Sequence, residues 1–342
     1  MLDILNTVDE WVGAAQPVAL ASVVSTWGSS PRQSGAKLAA LADFRMVGSV
    51  SSGCVESAVL SEAIDLLKDG KPRLLNFGVS DEVAWDVGLA CGGKISIYLE
   101  PLDVQWWRIA SAHVQADQPY ATATLITGPS VSGKVLMDES GVLLQSPGLS
   151  AGQAEGLTML AREGLEQSAS VQTSLGDSSV FVEIYQPRPR LVIVGGAHAA
   201  VALAQMASLL GYRVMLIDPR RAFATAERFP IAEVISYEYP DKALPKIGLT
   251  PQTYIAILTH DPKIDDPALK TALPSPVPYV GILSSKRTHE QRIERLTADG
   301  FDRALLDRIR TPIGLKIGAQ TPEEIALCVL AEITAVRRGV LV

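Results

Sequence analysis

Two cysteines stand in glycine-rich loops, a placement that favours reactive sulfur. Cys54 follows the run Gly48-Ser-Val-Ser-Ser-Gly53 and precedes a helical apolar stripe at Val55, Val59, Ala63, Leu66 and Leu67. A thiol in the first turn of a helix has its pKa lowered toward the thiolate. The same loop, through Gly48, Ser51, Ser52 and Gly53, offers backbone amides at a helix start, an arrangement that suits an anion. Cys91 lies in Gly88-Leu-Ala-Cys91-Gly92-Gly93, where small neighbours leave a sulfur uncovered. A single cysteine is ordinarily a small buried hydrophobe. Cys328, on the apolar face of the stretch 325–333, fits that ordinary case. A further polar loop, Trp27 to Lys37, supplies Arg32, Gln33 and Lys37 as anion or heterocycle contacts.

A second constellation begins mid-chain. Arg190-Leu-Val-Ile-Val-Gly195-Gly196-Ala-His198 leads into an apolar helix and then Arg213-Val-Met-Leu-Ile-Asp218. The order is strand, glycine turn, helix, strand, acid, the opening unit of a nucleotide-binding sheet. Gly195 takes the tight-turn position and Asp218 the place of a ribose-binding acid. Ala197 and Ala200 stand where further glycines are usual, and Ala197 adds a methyl where a pyrophosphate would approach. His198 opens the helix, and the helix dipole disfavours a proton on its ring. His260 follows the strand expected at 253–259. In the strand order 3-2-1-4-5 the two histidines face one crevice at the topological switch point. Ser284-Ser-Lys286-Arg287 offers amides and cations to an anion, or is a solvated helix start. A Rossmann sheet that binds no nucleotide is the alternative reading of the whole unit.

These residues need a scaffold of two domains, the default for 342 residues with 47% hydrophobic content. The tract Gln186-Pro-Arg-Pro-Arg190 marks the boundary, because its prolines fit neither a helix interior nor a central strand. The expected organisation is α/β: an N-terminal α+β domain over 1–186, with a sub-region 104–186, then a Rossmann-like doubly wound parallel sheet over 187–342. In the second domain we expect strands at 191–194, 213–217, 233–237, 253–259 and 279–283, and helices at 199–210, 222–229, 267–271, 289–299 and 322–338. In the first we expect strands at 18–26, 37–42, 45–50, 94–99, 121–127, 134–137 and 180–185, with helices at 54–68 and 154–167. The sequence shows no internal repeat.

The bulk numbers narrow the function class. A net charge of −7 argues against non-specific binding to nucleic acid or to an anionic membrane surface. No apolar run approaches the roughly 20 residues of a membrane span. Three cysteines make neither a disulfide framework nor a zinc pattern. The first residues are acidic, with no signal-type core, so we expect a cytoplasmic protein.

Taken together, the chain resembles the XdhC/CoxI family of maturation factors for molybdenum hydroxylases. The carrying segments are Gly28 to Arg32, Gly48 to Glu56, Gly88 to Gly93, Gly195 to His198, Asp218 to Arg220, Leu258 to Asp261 and Thr311 to Gly318. It departs from the family pattern at Ser52, Ala197 and Ala200. The resemblance implies a chaperone that binds molybdenum cofactor (molybdopterin or its dinucleotide form), supports its sulfuration, and passes it to a xanthine or carbon monoxide dehydrogenase-type apoenzyme. A cysteine desulfurase is the implied second partner. Cys54 and Cys91 would meet the sulfur or molybdenum end, since a soft thiolate ligates or transfers sulfur. Loops surrounding a large cofactor also lead us to expect a homodimer. The competing class is an NAD(P)-dependent oxidoreductase, which Gly195 and Asp218 favour and Ala197 opposes.

Overall fold

The computed structural model describes residues 1–28, 32–51, 53, 55–78 and 93–340. Ser52, Cys54, Cys91 and Gly92 lie outside the described residues. The chain divides into two compact units, Met1–Pro187 and Arg188–Val342.

The first unit opens with α1 (Leu5–Gly13), β1 (Ala19–Trp27), β2 (Lys37–Ala40), β3 (Met46–Gly48), α2 (Glu56–Asp69), β4 (Arg73–Phe77) and β5 (Lys94–Pro101). The strands form an antiparallel sheet in the order β3-β2-β1-β5-β4. The same succession then recurs as α3 (Val104–Gln115), β6 (Tyr120–Leu125), β7 (Lys134–Asp138), β8 (Gly141–Gln145), α4 (Ala151–Gln167), β9 (Val171–Leu175) and β10 (Ser178–Tyr185). Its sheet order is β8-β7-β6-β10-β9, the same pattern again. The expectation of no internal repeat is therefore corrected: the first unit is one module built twice.

The two modules agree residue by residue. Ser22 pairs with Lys37 as Thr124 pairs with Lys134. Leu20 pairs with Glu100 as Thr122 pairs with Glu183. Ala15 and Asp117, at the ends of α1 and α3, share a left-handed φ of 54°. Gln16, Pro17, Ala19 and Ala21 recur as Gln118, Pro119, Ala121 and Ala123. The modules differ in the number of residues between their last two strands. Residues 78–93 connect β4 to β5, whereas Gly176 and Asp177 alone connect β9 to β10.

Buried charge ties the modules together. Lys37 donates to Glu183 at 2.9 Å and to the Ser22 hydroxyl at 2.8 Å. Lys134 donates to Glu100 at 2.7 Å. The Trp106 ring lies 5.6 Å from the first ammonium and 5.3 Å from the second, and its indole N–H reaches Thr122. Such charges stay inside only when paired and hydrogen-bonded.

The second unit holds β11 (Arg190–Val194), α5 (His198–Leu209), β12 (Arg213–Ile217), β13 (Val234–Ser236), α6 (Pro240–Ile247), β14 (Thr253–Ile257), α7 (Pro262–Ala272), β15 (Tyr279–Ile282), α8 (Lys286–Ala298), α9 (Arg303–Leu306), β16 (Ile309–Arg310) and α10 (Pro322–Arg337). All six strands are parallel, in the order β13-β12-β11-β14-β15-β16. Alternate residues serve opposite faces. Leu191, Ile193, Val214 and Leu216 pack under α5 and α10. Val192, Val194, Met215 and Ile217 pack under α6, α7 and α8. Burial on both faces explains the continuous apolar strands. The Rossmann-like doubly wound expectation holds. One helix does not: 222–229 forms turns, with Pro230 directly behind and Phe223 held to the Arg220 carbonyl.

Candidate functional site

β11 and β14 are neighbours, and their outgoing loops meet where the strand order reverses. Gly195 has a φ of +101°, and a Cβ there would run into Thr259 on the loop after β14. A Cβ on Gly196 would strike the Phe223 carbonyl. Both glycines are thus required by the protein's own backbone, whether or not a phosphate approaches. Ala197 sits in extended backbone at the N-cap of α5, and among the described residues no side chain caps that helix. Its methyl therefore costs the fold nothing. The amides opening α5 are left facing outward beside His198, which is exposed. His260, also exposed, leaves β14 on the other loop of the crevice. Ala200 is buried and lets α5 lie close on the sheet.

Asp218 has a different job from the one expected. It is 0% exposed. One carboxylate oxygen accepts the Gly196 amide at 2.8 Å and the Arg220 Nη2 at 2.8 Å. The other accepts the Arg220 amide and Nε, both at 2.9 Å. Four bonds fill the roughly four acceptor positions of a carboxylate, which leaves none for a ribose diol. Burial pushes this carboxyl up, but the Arg220 guanidinium and the two amides outweigh it and hold it below the ordinary aspartate range. Asp218 braces the glycine turn from inside. Arg220 also stacks on the Phe223 ring, 4.4 Å away, and so fixes the segment lying over Gly196.

Under the crevice lies a polar network that the sequence reading missed. Thr259 donates to Asp265, which pairs with Arg292 at 3.0 Å. Arg292 also donates to Ser284 at 3.1 Å. Ser284 is therefore turned inward, and Ser285 caps α8 instead by accepting from Thr288. Lys286 is exposed. Asp265 and Arg292 are 0% and 1% exposed on their side chains. Burial pushes the Asp265 carboxyl up, against the pull of Thr259 and Arg292. The available signal was a charge on each helix's apolar face, Asp265 beside Ile264 and Ala268, and Arg292 between turns carrying Ile293 and Leu296.

In the first unit the loop after β3 is closed on itself. Glu56 accepts the Ser49 hydroxyl at 2.7 Å, the Ser51 amide at 2.8 Å and the Gly53 amide at 2.9 Å. The amides at Ser51 and Gly53, expected to be open to an anion, already hold a carboxylate. Burial raises Glu56, and these donors more than reverse it, leaving it below the ordinary glutamate range. Gly48 is a packing glycine: a Cβ would strike the Lys37 carbonyl and Ile4. Arg32 donates to the Ser49 carbonyl at 3.1 Å and to Asp3 at 2.7 Å. Cys328 is buried, as expected. Among the described residues no cluster of His, Cys, Asp and Glu could hold a metal ion, and no helix is long and apolar enough to cross a membrane.

Known proteins share this architecture. Residues 11–78 match the model of the XdhC and CoxI family, and residues 191–333 match the XdhC Rossmann domain. This chain belongs to the XdhC and CoxI family. Among its relatives is a probable xanthine dehydrogenase subunit of Bacillus subtilis strain 168, 26% identical over 325 residues covering 94% of each chain. The molybdenum cofactor insertion chaperone PaoD of Escherichia coli K12 is 27% identical over 98% of this chain and 88% of its own length. The uncharacterized protein YqeB of the same strain is 26% identical over 94% of this chain, but the chain spans only 44% of YqeB. A crystal structure of a xanthine dehydrogenase from Bacillus halodurans superposes with a TM-score of 0.77 at 27% identity, over 98% of this chain and 96% of that one. The glycine turn, Asp218, Thr259 and Asp265 all fall in the matched Rossmann domain of this XdhC-family chain.

Proposed function

We propose that this protein is a molybdenum cofactor-binding maturation factor that supports cofactor sulfuration and delivers the cofactor to a xanthine or carbon monoxide dehydrogenase-type apoenzyme. The observation that carries the reading is family membership, joined to an insertion-chaperone relative aligned over 98% of the chain. The uncapped start of α5, flanked by His198 and His260, suits the phosphate of a pterin or its dinucleotide form. The Ser51 and Gly53 amides suit it less, because a phosphate there must first displace Glu56. Cys54 and Cys91 are assigned the sulfur or molybdenum end on their loop chemistry. A cysteine desulfurase as sulfur donor, a homodimer and a cytoplasmic location belong to the same reading. An NAD(P)-dependent oxidoreductase is the weaker alternative, since the saturated Asp218 offers no acceptor to a ribose.

The test is direct. Protein purified from a cofactor-replete host is oxidised, and the fluorescent pterin derivative is quantified per chain. We expect near-stoichiometric pterin, reduced in C54S and C91S, together with activation of an apo-hydroxylase on mixing. Absence of pterin both after purification and after mixing in vitro would sink the cofactor role. Unchanged retention in both cysteine variants would remove the sulfur assignment alone.

A further inference from the structure

We propose that the first unit binds a flat, uncharged heterocycle in a cleft between the end of β1 and the edge strand β9. The choice of ligand rests on the maturation-factor reading, under which the heterocycle is the pterin ring of the cofactor. The cleft measures about 540 Å³, within the roughly 300–1,000 Å³ usual for small-molecule sites. Among the described residues seven polar, uncharged side chains line it beside Val24 and Val171, and no charged one does. Two of the seven are engaged: Ser34 donates to the Val24 carbonyl at 3.4 Å, and Ser170 accepts the Ile184 amide at 3.0 Å. The side chains of Ser25, Thr26, Gln172, Thr173 and Ser174 have no hydrogen-bond partner among the described residues.

The duplication shows why the cleft is open. Its counterpart by register lies beside β4, and there the rim is closed. Leu74 packs on the apolar cluster of Val24, Tyr98, Ile126 and Phe181. The Tyr98 hydroxyl meets Ser132 at 2.6 Å, and the Thr127 hydroxyl accepts the Ser179 amide at 2.8 Å. Around β9 the equivalent positions hold Gln172 for Leu74, Phe181 for Tyr98, Gly35 for Ser132 and Ser25 for Thr127. The strand pairs fix the first two, Leu74 opposite Tyr98 and Gln172 opposite Phe181. The third follows because Gly35 and Ser132 donate their amides to the matching carbonyls of Val23 and Leu125, both at 2.8 Å. One rim has thus lost an apolar plug, a hydroxyl and a side chain.

What remains suits a ring with a polar edge. Ser25 and Trp27 pair with Ser96 and Lys94, whereas Ile95 and Ile97 point into the core under α2. Strand alternation therefore puts Ser25 and Trp27 on the cleft side of the sheet. The Trp27 indole is 69% exposed, a free face on which a planar ring can stack. Gln172 shares its face with Phe181 and so turns toward the same cleft. Its carboxamide carries one acceptor and two donors, the complement of the 2-amino-4-oxo edge of a pterin. A lining without cations offers nothing to a phosphate, so the cleft takes the ring and not the anionic end of the cofactor.

Titration of the full chain with free pterin, read by the anisotropy of the pterin's own fluorescence, tests this. We expect one pterin per chain. W27A and Q172L should each weaken it about tenfold, through lost stacking and a lost hydrogen-bonding edge. Trp27 is exposed and Gln172 half-buried, so neither substitution opens the core. The triple variant G35S/Q172L/F181Y rebuilds the closed rim found beside β4 and should abolish binding while its melting temperature holds. Ser132 already carries a side chain in the left-handed backbone that Gly35 adopts, with φ of 67° and 89°. Two results would overturn the cleft: no binding of pterin by the parent protein up to about 1 mM, or binding that W27A, Q172L and the triple variant all leave intact. The maturation reading fails by a separate measurement, the pterin content of the purified parent protein. Co-purified pterin that all three variants retain in full would remove the cleft and leave the cofactor role standing.

Discussion

Lys37 and Lys134 occupy the same register position in the two modules of the first unit, and each gives its ammonium to the other module's glutamate. The exchange is reciprocal, with Trp106 between the two cations. A paired buried charge contributes little net stability, but removing one partner strands the other. The pairs therefore act mainly on specificity: they fix which strand of one sheet faces which strand of the other. Lys37 has a second consequence. Its carbonyl accepts the Ser49 amide at 2.9 Å, so the residue that locks the modules also holds the loop leading toward Cys54.

Replacing Lys37 by Met should destabilise the protein by about 3–5 kcal/mol, because Glu183 is left buried without its ammonium. The double variant K37M/E183L should recover a large part of that loss. Urea denaturation of the two singles and the double closes the cycle. Purely additive losses would mean that the ion pair does not couple the modules.

Glu56 and Asp218 are both held below their ordinary values, so each stabilises the fold above about pH 4 and that contribution fades as pH falls through the lowered folded value. E56Q and D218N should each cost about 1–3 kcal/mol at pH 7, since each removes a charge-assisted acceptor from buried amides. The gap from the parent protein should begin to shrink below about pH 4, where the unfolded chain's carboxyls take up protons while the folded ones still hold their charge. Chemical denaturation at pH 7 and pH 3.5 measures it. A gap that stays constant across that range would contradict the assignment.

Much of this fold is legible in the sequence. The second unit announces itself because a doubly buried parallel strand must be continuously apolar, as Leu191–Val194 and Val214–Ile217 are. The repeat in the first unit did not announce itself. Its copies preserve burial and register, whereas identity survives chiefly around Gln16-Pro17 and Gln118-Pro119, and connections of unequal length destroy the spacing. Asp218 was placed correctly in the chain and misjudged in role. Spacing locates an acid after β12, but only the Arg220 side chain, two residues on, shows that the acid is already satisfied. The Glu56 closure escaped for a similar reason, because amides preceding a helix look open until a carboxylate from that helix turns back onto them.

Gly195 and Gly196 should tolerate alanine poorly even with no ligand present. G195A forces a left-handed φ of +101° on an alanine and drives a methyl into Thr259; G196A drives one into the Phe223 carbonyl. Each should cost at least about 2 kcal/mol by thermal or urea melts of the ligand-free protein. Near-neutral variants would mean that the loops after β12 and β14 move apart freely, and that the glycines are kept for a ligand rather than for packing.

Asp265 titrates in the opposite sense from Asp218, and this gives the buried network its own signature. Burial raises its carboxyl, so the folded state prefers the proton, and its contribution is greatest at acid pH and diminishes as pH rises through the raised folded value. Arg292 moderates that rise by pairing at 3.0 Å. R292M removes the moderation and should push Asp265 further up. The variant should therefore lose about 3–5 kcal/mol at pH 8, and less as the pH falls, because a raised carboxyl takes up a proton sooner and the buried charge is then removed. Urea melts at pH 5 and pH 8 provide the comparison. An equal loss at pH 5 and pH 8 would show that Arg292 matters through packing of its stem rather than through the Asp265 charge, and the polar floor of the crevice would then have to be explained without an ion pair.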